Sequence, residues 1–132
     1  MRIVADTNLL VRAAVGDDEG MARRAVAELA GASVVVVPIV ALCELAWVLR
    51  SGYRYANAEI AAVLRELMGA ANVETDRVMV SAGLRMLDAG GDFADGVIAA
   101  SGVALGGEVF VSFDRRAVRL LRTAGVSARE PV

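Results

Sequence analysis

Val34-Val-Val-Val37, Pro38, then Ile39-Val-Ala-Leu-Cys-Glu-Leu-Ala-Trp-Val-Leu49: these sixteen residues decide the fold. The four valines are β-branched and show no polar alternation, the pattern of a strand covered on both faces. The segment after them is helical in composition and apolar all round, as a buried helix should be. Glu44 alone interrupts it. Similar β-rich segments recur at 2–5, 72–74, 109–112 and 126–129. Helical composition fills 19–30, 39–50, 56–68, 76–89, 93–105 and 115–124, with a short helix at 9–15. Strands alternating with helices imply a parallel sheet with helices on both faces. No repeat, low-complexity tract or linker divides the chain, so a single domain over 1–132 is expected. In such sheets, ligands bind beyond the carboxyl ends of the strands.

Composition excludes much chemistry. The chain has no histidine and no lysine, and all 14 of its basic residues are arginine. A Ser-His-Asp triad, a Schiff-base lysine, a Walker A lysine and a histidine-ligated zinc are therefore ruled out. The apolar content of 57% includes no run near the roughly 18 residues of a membrane span. The N-terminus, Met-Arg-Ile-Val-Ala-Asp, reads without a secretory signal. Cys43 is the single cysteine, allows no intrachain disulfide and fits a reducing cytoplasm. With a net charge of −2, a nucleic-acid partner would have to be held by local arginines or by metal.

What remains as a source of reactivity is carboxylate. Asp6 closes the first strand, Glu44 sits inside the apolar helix, Asp95 falls in the first turn of a helix and Asp114 follows the fourth strand. Taken singly, each Asp reads first as a helix cap: Asp6 before 9–15, Asp92 and Asp95 as a variant capping box, Asp114 before the last helix. Glu44 cannot be a cap. Helical spacing puts Val40, Trp47 and Val48 on its face, with no Arg three or four residues away, so a buried Glu44 calls for a partner or a proton. Two carboxylates about 4 Å apart repel by roughly 4 kcal/mol at an effective dielectric near 20. A divalent cation reverses that sign, and oxygen-only ligands favour Mg²⁺ or Mn²⁺ over zinc.

Arg2-Ile-Val-Ala-Asp-Thr-Asn8, Ile39-Val-Ala-Leu-Cys-Glu-Leu45, Asp92-Phe-Ala-Asp-Gly-Val-Ile-Ala99 and Val111-Ser-Phe-Asp114 resemble the successive motifs of PIN-domain nucleases. Their order and spacing in so short a chain look most like VapC-type toxins of bacterial toxin–antitoxin pairs. The resemblance implies an α/β/α sandwich with a five-stranded parallel sheet, and Mg²⁺-dependent cleavage of RNA, with Mn²⁺ able to substitute. It also implies a cytoplasmic homodimer and a cognate antitoxin. By position it makes Asp6, Glu44, Asp95 and Asp114 the catalytic and metal-binding acids. Ser112 stands where the family commonly has Thr or Ser, and Gly96 and Val97 replace the Ala and Leu that usually follow the third acid. Thr7, Asn8 and Asp92 would orient the site from behind it.

Arg50, Tyr53 and Arg54 interleave cation with aromatic, a composition suited to unpaired bases, although packing explains two tyrosines equally well. Arg115, Arg119 and Arg122 share a helical face that reads as solvated or as a contact for phosphate or a partner. Trp47, Phe93, Phe110 and Phe113 read as core, and Cys43 as a small buried residue. A response-regulator receiver and an aspartyl-nucleophile phosphatase both require a lysine that is missing; the phosphatase also needs Asp where Asn8 stands. The non-enzyme alternative is an inert PIN fold serving as a dimerisation or RNA-binding subunit.

Overall fold

A computed structural model describes residues 1–132, which fall into two units, Met1–Asp76 and Arg77–Val132. Every element expected from sequence is present. The first unit runs β1 (Arg2–Val4), α1 (Thr7–Val15), α2 (Glu19–Gly31), β2 (Val34–Val36), α3 (Ile39–Ser51), α4 (Asn57–Gly69) and β3 (Val73–Glu74). Its sheet has the order β1-β2-β3, all parallel, with Ile3 opposite Val35 and Val35 opposite Val73. The valine run is therefore the central strand. Val35 and Val37 are buried, and Val34 and Val36 half-buried, which is why no position in the run alternates to polar. The ladder extends past the strand ends through Ala5 N–H to Val36 O (2.9 Å) and Val37 N–H to Glu74 O (2.8 Å). Asn72 secures the far end: its Nδ2 donates to Leu29 O and Ala32 O at the end of α2. These are orphan helix carbonyls that need a donor.

The second unit runs α5 (Arg77–Asp88), α6 (Phe93–Ala104), β4 (Phe110–Val111), α7 (Arg115–Thr123) and β5 (Ala128–Arg129). Its small core gathers Met86, Ala99, Ala117, Val118, Leu121 and Ala128, with Phe110 and Val126 packed on it. Helix α5 packs against α6 along a seam of small residues. A Cβ at Gly96 would lie 2.5 Å from the Ala82 carbonyl oxygen and 2.9 Å from Met86 Cβ. A Cβ at Gly83 would lie 2.3 Å from the Phe93 ring. Neither position has room for any side chain.

Two expectations about the sheet and core are corrected. The strands form a three-stranded and a separate two-stranded parallel sheet, β4 with β5, and not one five-stranded sheet. The segment 109–112 has strong β composition, but only Phe110 and Val111 find ladder partners, and β5 is as short. β-Propensity describes what a strand would pack against and does not choose which edges meet. Trp47 (68% exposed) and Phe113 (87%) are surface residues, whereas Phe93 is buried and Phe110 half-buried. Cys43 is half-buried.

Gly96→Ala tests the α5–α6 seam. Helix propensity alone would stabilise the alanine variant by up to about 1 kcal/mol. The missing room for Cβ should reverse that, giving a net loss of about 1–3 kcal/mol. A urea-unfolding midpoint at or above that of the parent chain would show that the seam yields freely.

Candidate metal centre

In the first unit, the strand-to-helix turn after β1 sets the position of Asp6. Ala5 is fully buried and hydrogen-bonded to β2, so the next side chain emerges at the end of the strand. Asp6 takes extended dihedrals (φ −87°, ψ 173°) as N-cap of α1, and its Oδ1 accepts from Leu9 N–H at 2.9 Å. The bland reading of Asp6 as a cap is thus realised. It does not exhaust the carboxylate, which has a second oxygen and about four lone-pair sites in all. Thr7, the first residue of α1, donates its hydroxyl to Glu44 Oε2 at 3.0 Å. The chain thereby ties its first two candidate acids together through the residue beside Asp6, across 37 positions of sequence. Asn8 is exposed next to them.

Glu44 itself departs from expectation. It is exposed, on the face of α3 that carries Val40 (61% exposed) and Trp47. Ala41, Leu42, Leu45, Ala46 and Leu49 form the buried face. The helix is apolar on both faces, but only one packs within the chain, so the argument from a buried unpaired carboxylate does not hold. What singles out Glu44 is its threonine partner and its place amid exposed apolar surface. Cys43 beside it has its thiol pushed up by burial and then by the Glu44 charge, which keeps it protonated and unreactive.

In the second unit, Asp92 is the N-cap residue of α6 but makes no side-chain capping bond, so the variant capping box does not form. Asp95, in the first turn of α6, is half-buried, and its carboxyl is raised above the ordinary aspartate value. Desolvation is the largest cause, followed by the negative charges of Asp92 and Asp114. Asp114 caps α7, its Oδ1 accepting from Ala117 N–H at 3.0 Å, while Ser112 Oγ accepts from Asp114 N–H at 3.0 Å. The third and fourth acids thus share an electrostatic environment, with Ser112 fixing the backbone of the fourth.

Oxygen-only donors and mutually repelling carboxylates fit a hard divalent cation. Nowhere, however, do three or more Asp, Glu or Cys side chains stand together as a ready-made ion site. The acids occur as two local sets, Asp6 with Glu44 and Asp95 with Asp92 and Asp114.

The arginines singled out from sequence are mostly occupied with structure. Arg50 bonds the Asn57 side chain, and the Tyr53 hydroxyl donates to Asp17 Oδ2 at 3.0 Å. Arg54 is exposed in a left-handed conformation (φ 58°). Arg115 pairs with Glu130 at 3.1 Å, Arg122 Nε donates to Ala128 O at 2.6 Å, and Arg119 is exposed. Sequence reasoning missed Arg12 and Arg24, which line a cavity together with Asp6 and Asn8. Their only signal was a helical spacing shared with many surface arginines.

The raised Asp95 carboxyl predicts a pH dependence. Its folded-state value lies above the unfolded one, so the folded chain binds the proton more tightly, and stability falls as pH rises through that window. Asp95→Asn removes the term. The metal-free variant should melt no lower than the parent at pH 7, and the parent should gain on it as the pH falls toward the ordinary aspartate range. A variant that melts lower at pH 7, with a gap that closes on acidification, would mean that the carboxylate is stabilising.

Comparison with known proteins adds the family. A search among curated proteins gave no match. The PIN domain family model matches residues 3–124, which spans both units. PIN domains are generally nucleases and usually use divalent metals, in keeping with the oxygen-only acids. With the match covering nearly the whole chain, this protein belongs to the PIN domain family.

Proposed function

We propose that this chain is a Mg²⁺-dependent endoribonuclease, with Mn²⁺ able to substitute, acting on single-stranded or structured RNA as the toxin of a VapC-type toxin–antitoxin module. The observation that carries this reading is the like-charge environment of Asp95, half-buried beside Asp92 and Asp114, in a chain that matches the PIN domain. The field of those two charges costs stability unless a cation offsets it. The ligands would come from Asp6, Glu44, Asp95 and Asp114. When bound, the ion supplies Lewis acidity toward a phosphoryl oxygen and lowers the pKa of its water. The rest is done by this chain. Thr7 holds one Glu44 oxygen and leaves the other free. The capping bonds to Leu9 and Ala117 fix the Asp6 and Asp114 carboxylates in orientation, and Ser112 steadies the turn before α7. Cleavage would leave 5′-phosphate and 3′-hydroxyl ends.

The wider module is part of the same proposal: a single PIN domain over 1–132, working as a cytoplasmic homodimer under a cognate antitoxin. No helix is long and apolar enough to cross a membrane. Exposed Val40 and Trp47 flanking Glu44 support a partner segment lying along α3 and presenting an Arg or Lys to the acids. A second reading has its own support. Asp6 and Asp114 are engaged as caps, and no three acids gather, as expected of an inert PIN fold that only dimerises or binds RNA.

Cleavage assays and metal titration separate the two. RNA cleavage should vanish in EDTA and return with Mg²⁺ or Mn²⁺. Asp6→Asn and Asp95→Asn should nearly abolish it and weaken Mn²⁺ binding while leaving the fold intact, since Asn caps α1 as well as Asp6 does and relieves like-charge repulsion at position 95. Asp92→Asn should do much less. Cutting that persists in chelator, or 2′,3′-cyclic phosphate ends, would refute the mechanism.

Glu44→Gln gives a second readout. The side chain is exposed, so its apo stability should change by no more than about 0.5 kcal/mol. The parent should gain about 2.7 kcal/mol of stability at a hundredfold excess of Mn²⁺ over its dissociation constant, and the variant much less. Equal gains in thermal melts would remove Glu44 from the ligand set.

A further inference from the structure

Helices α1 and α2 of the first unit border an open cavity of about 410 Å³, lined among others by Asp6, Asn8, Arg12, Met21, Arg24 and Glu28. Its volume lies in the range of small-ligand sites, roughly 300–1,000 Å³. It combines a candidate catalytic carboxylate with two guanidinium groups. Arg12 is under-used where it stands. Its Nε is sealed from solvent and has no hydrogen-bond partner, and its terminal nitrogen only reaches Asp17 at 3.5 Å. Asp17 meanwhile accepts the Tyr53 hydroxyl at 3.0 Å. The sealed Nε is out of an anion's reach, but the side chain is 30% exposed and its terminal nitrogens, held only by that 3.5 Å pairing, are open to an oxyanion. Arg24, exposed on α2, supplies a second fork of donors to the same space, and such forks match phosphate oxygens in pairs.

The charges also set a condition. Asp6 and Glu28 line the cavity as well, and they balance the two arginines. A phosphate gains net attraction only when the Asp6 charge is offset by a cation. The cavity therefore favours an anion that arrives with, or after, a divalent ion at Asp6.

We propose that this cavity is a subsite for an RNA backbone phosphate next to the one cut at Asp6, with Arg12 and Arg24 as its phosphate-binding side chains. This rests on the ribonuclease reading above and adds to it the path of the strand, which runs from Asp6 between α1 and α2. The sites first suggested by sequence, Arg50 and Arg115, are bonded to Asn57 and Glu130 and are not needed for this path.

The test is binding of a labelled ten-nucleotide single-stranded RNA, followed by fluorescence anisotropy in Mg²⁺ over a range of salt. Phosphorothioate linkages slow cutting during the measurement. Arg12→Gln and Arg24→Gln should each weaken binding roughly tenfold, as for a lost charged hydrogen bond. Each should also lower the slope of log affinity against log salt by about 0.7. Arg12→Lys should keep the slope and lose part of the affinity, since it retains charge without the fork. Ala27→Phe, which fills the cavity without changing charge, should weaken binding. Arg23→Gln, on the same helix but outside the lining, should not. Arg24 and Ala27 are exposed, so their variants test the site even where Arg12→Gln fails to fold. Unchanged affinity and slope in Arg24→Gln and Ala27→Phe would overturn the subsite, whether or not the parent cuts RNA. A 5′-mononucleotide that binds as tightly as the decamer would also overturn it, making the cavity a free-nucleotide pocket. Arginine-dependent binding with no cutting would remove the nuclease reading and leave the subsite standing.

Discussion

The hydrogen bond from Ala5 to Val36 carries the β1–β2 ladder one residue past the strand, and the chain must then turn. Everything at the first half of the candidate site follows from that stop. A helix begins at once, its first amides need acceptors, and Asp6 supplies one. Thr7, now on the first turn of α1, meets Glu44 from α3, whose own position is set by the central strand before it. The second unit repeats the solution at Asp114, where β4 ends and α7 begins. Strand ends that turn directly into helices place acidic caps where a parallel sheet binds its ligands.

That geometry also explains why the elements could be read so fully from sequence. Valine runs and acidic caps are local signals, and local signals fix local structure. The five strands and seven helices fall within a residue or two of expectation. Pairing is another matter. Phe110 and Val111 join Ala128 and Arg129 and no other strand, and nothing in a β-branched run names its neighbour. The exposed face of the apolar helix is hidden from the sequence for a related reason. Periodicity reports how much apolar surface a helix has, and burial depends on how much of that surface the rest of the chain can cover. Leu42, Leu45 and Leu49 are covered; Val40 and Trp47 are not.

The site divides along the same line. Asp6, Asp95 and Asp114 could be placed from sequence because each lies at a strand end or helix start. Burial does not single out Glu44, which is exposed; its bond from Thr7 does, and no sequence pattern shows that bond. Arg12 is not legible in the sequence because its value lies in a loose 3.5 Å pairing with Asp17 and in the cavity beside it, both products of how the chain packs. In the sequence Gly96 is only a replacement for the Ala that usually follows the third acid. The Ala82 carbonyl shows that the helix carrying Asp95 can sit where it does only without a side chain there.

Capping and catalysis are often set against each other as explanations for an acidic residue at a helix start. Here they separate by charge. Asn, Asp and Ser cap with nearly equal strength, so the bonds to Leu9 and Ala117 account for a short polar side chain at positions 6 and 114 but not for an anion. The helix dipole favours an anion there by about 0.3–1 kcal/mol at the surface. Asp114 also stands close enough to Asp95 to raise its carboxyl, with Asp92 adding to the effect. A chain optimised for stability alone would relieve that repulsion with an amide at one of the three positions, keeping every capping bond. Capping therefore leaves the negative charge at positions 92, 95 and 114 unexplained, and the cation of the proposed function is what would turn that repulsion into binding energy.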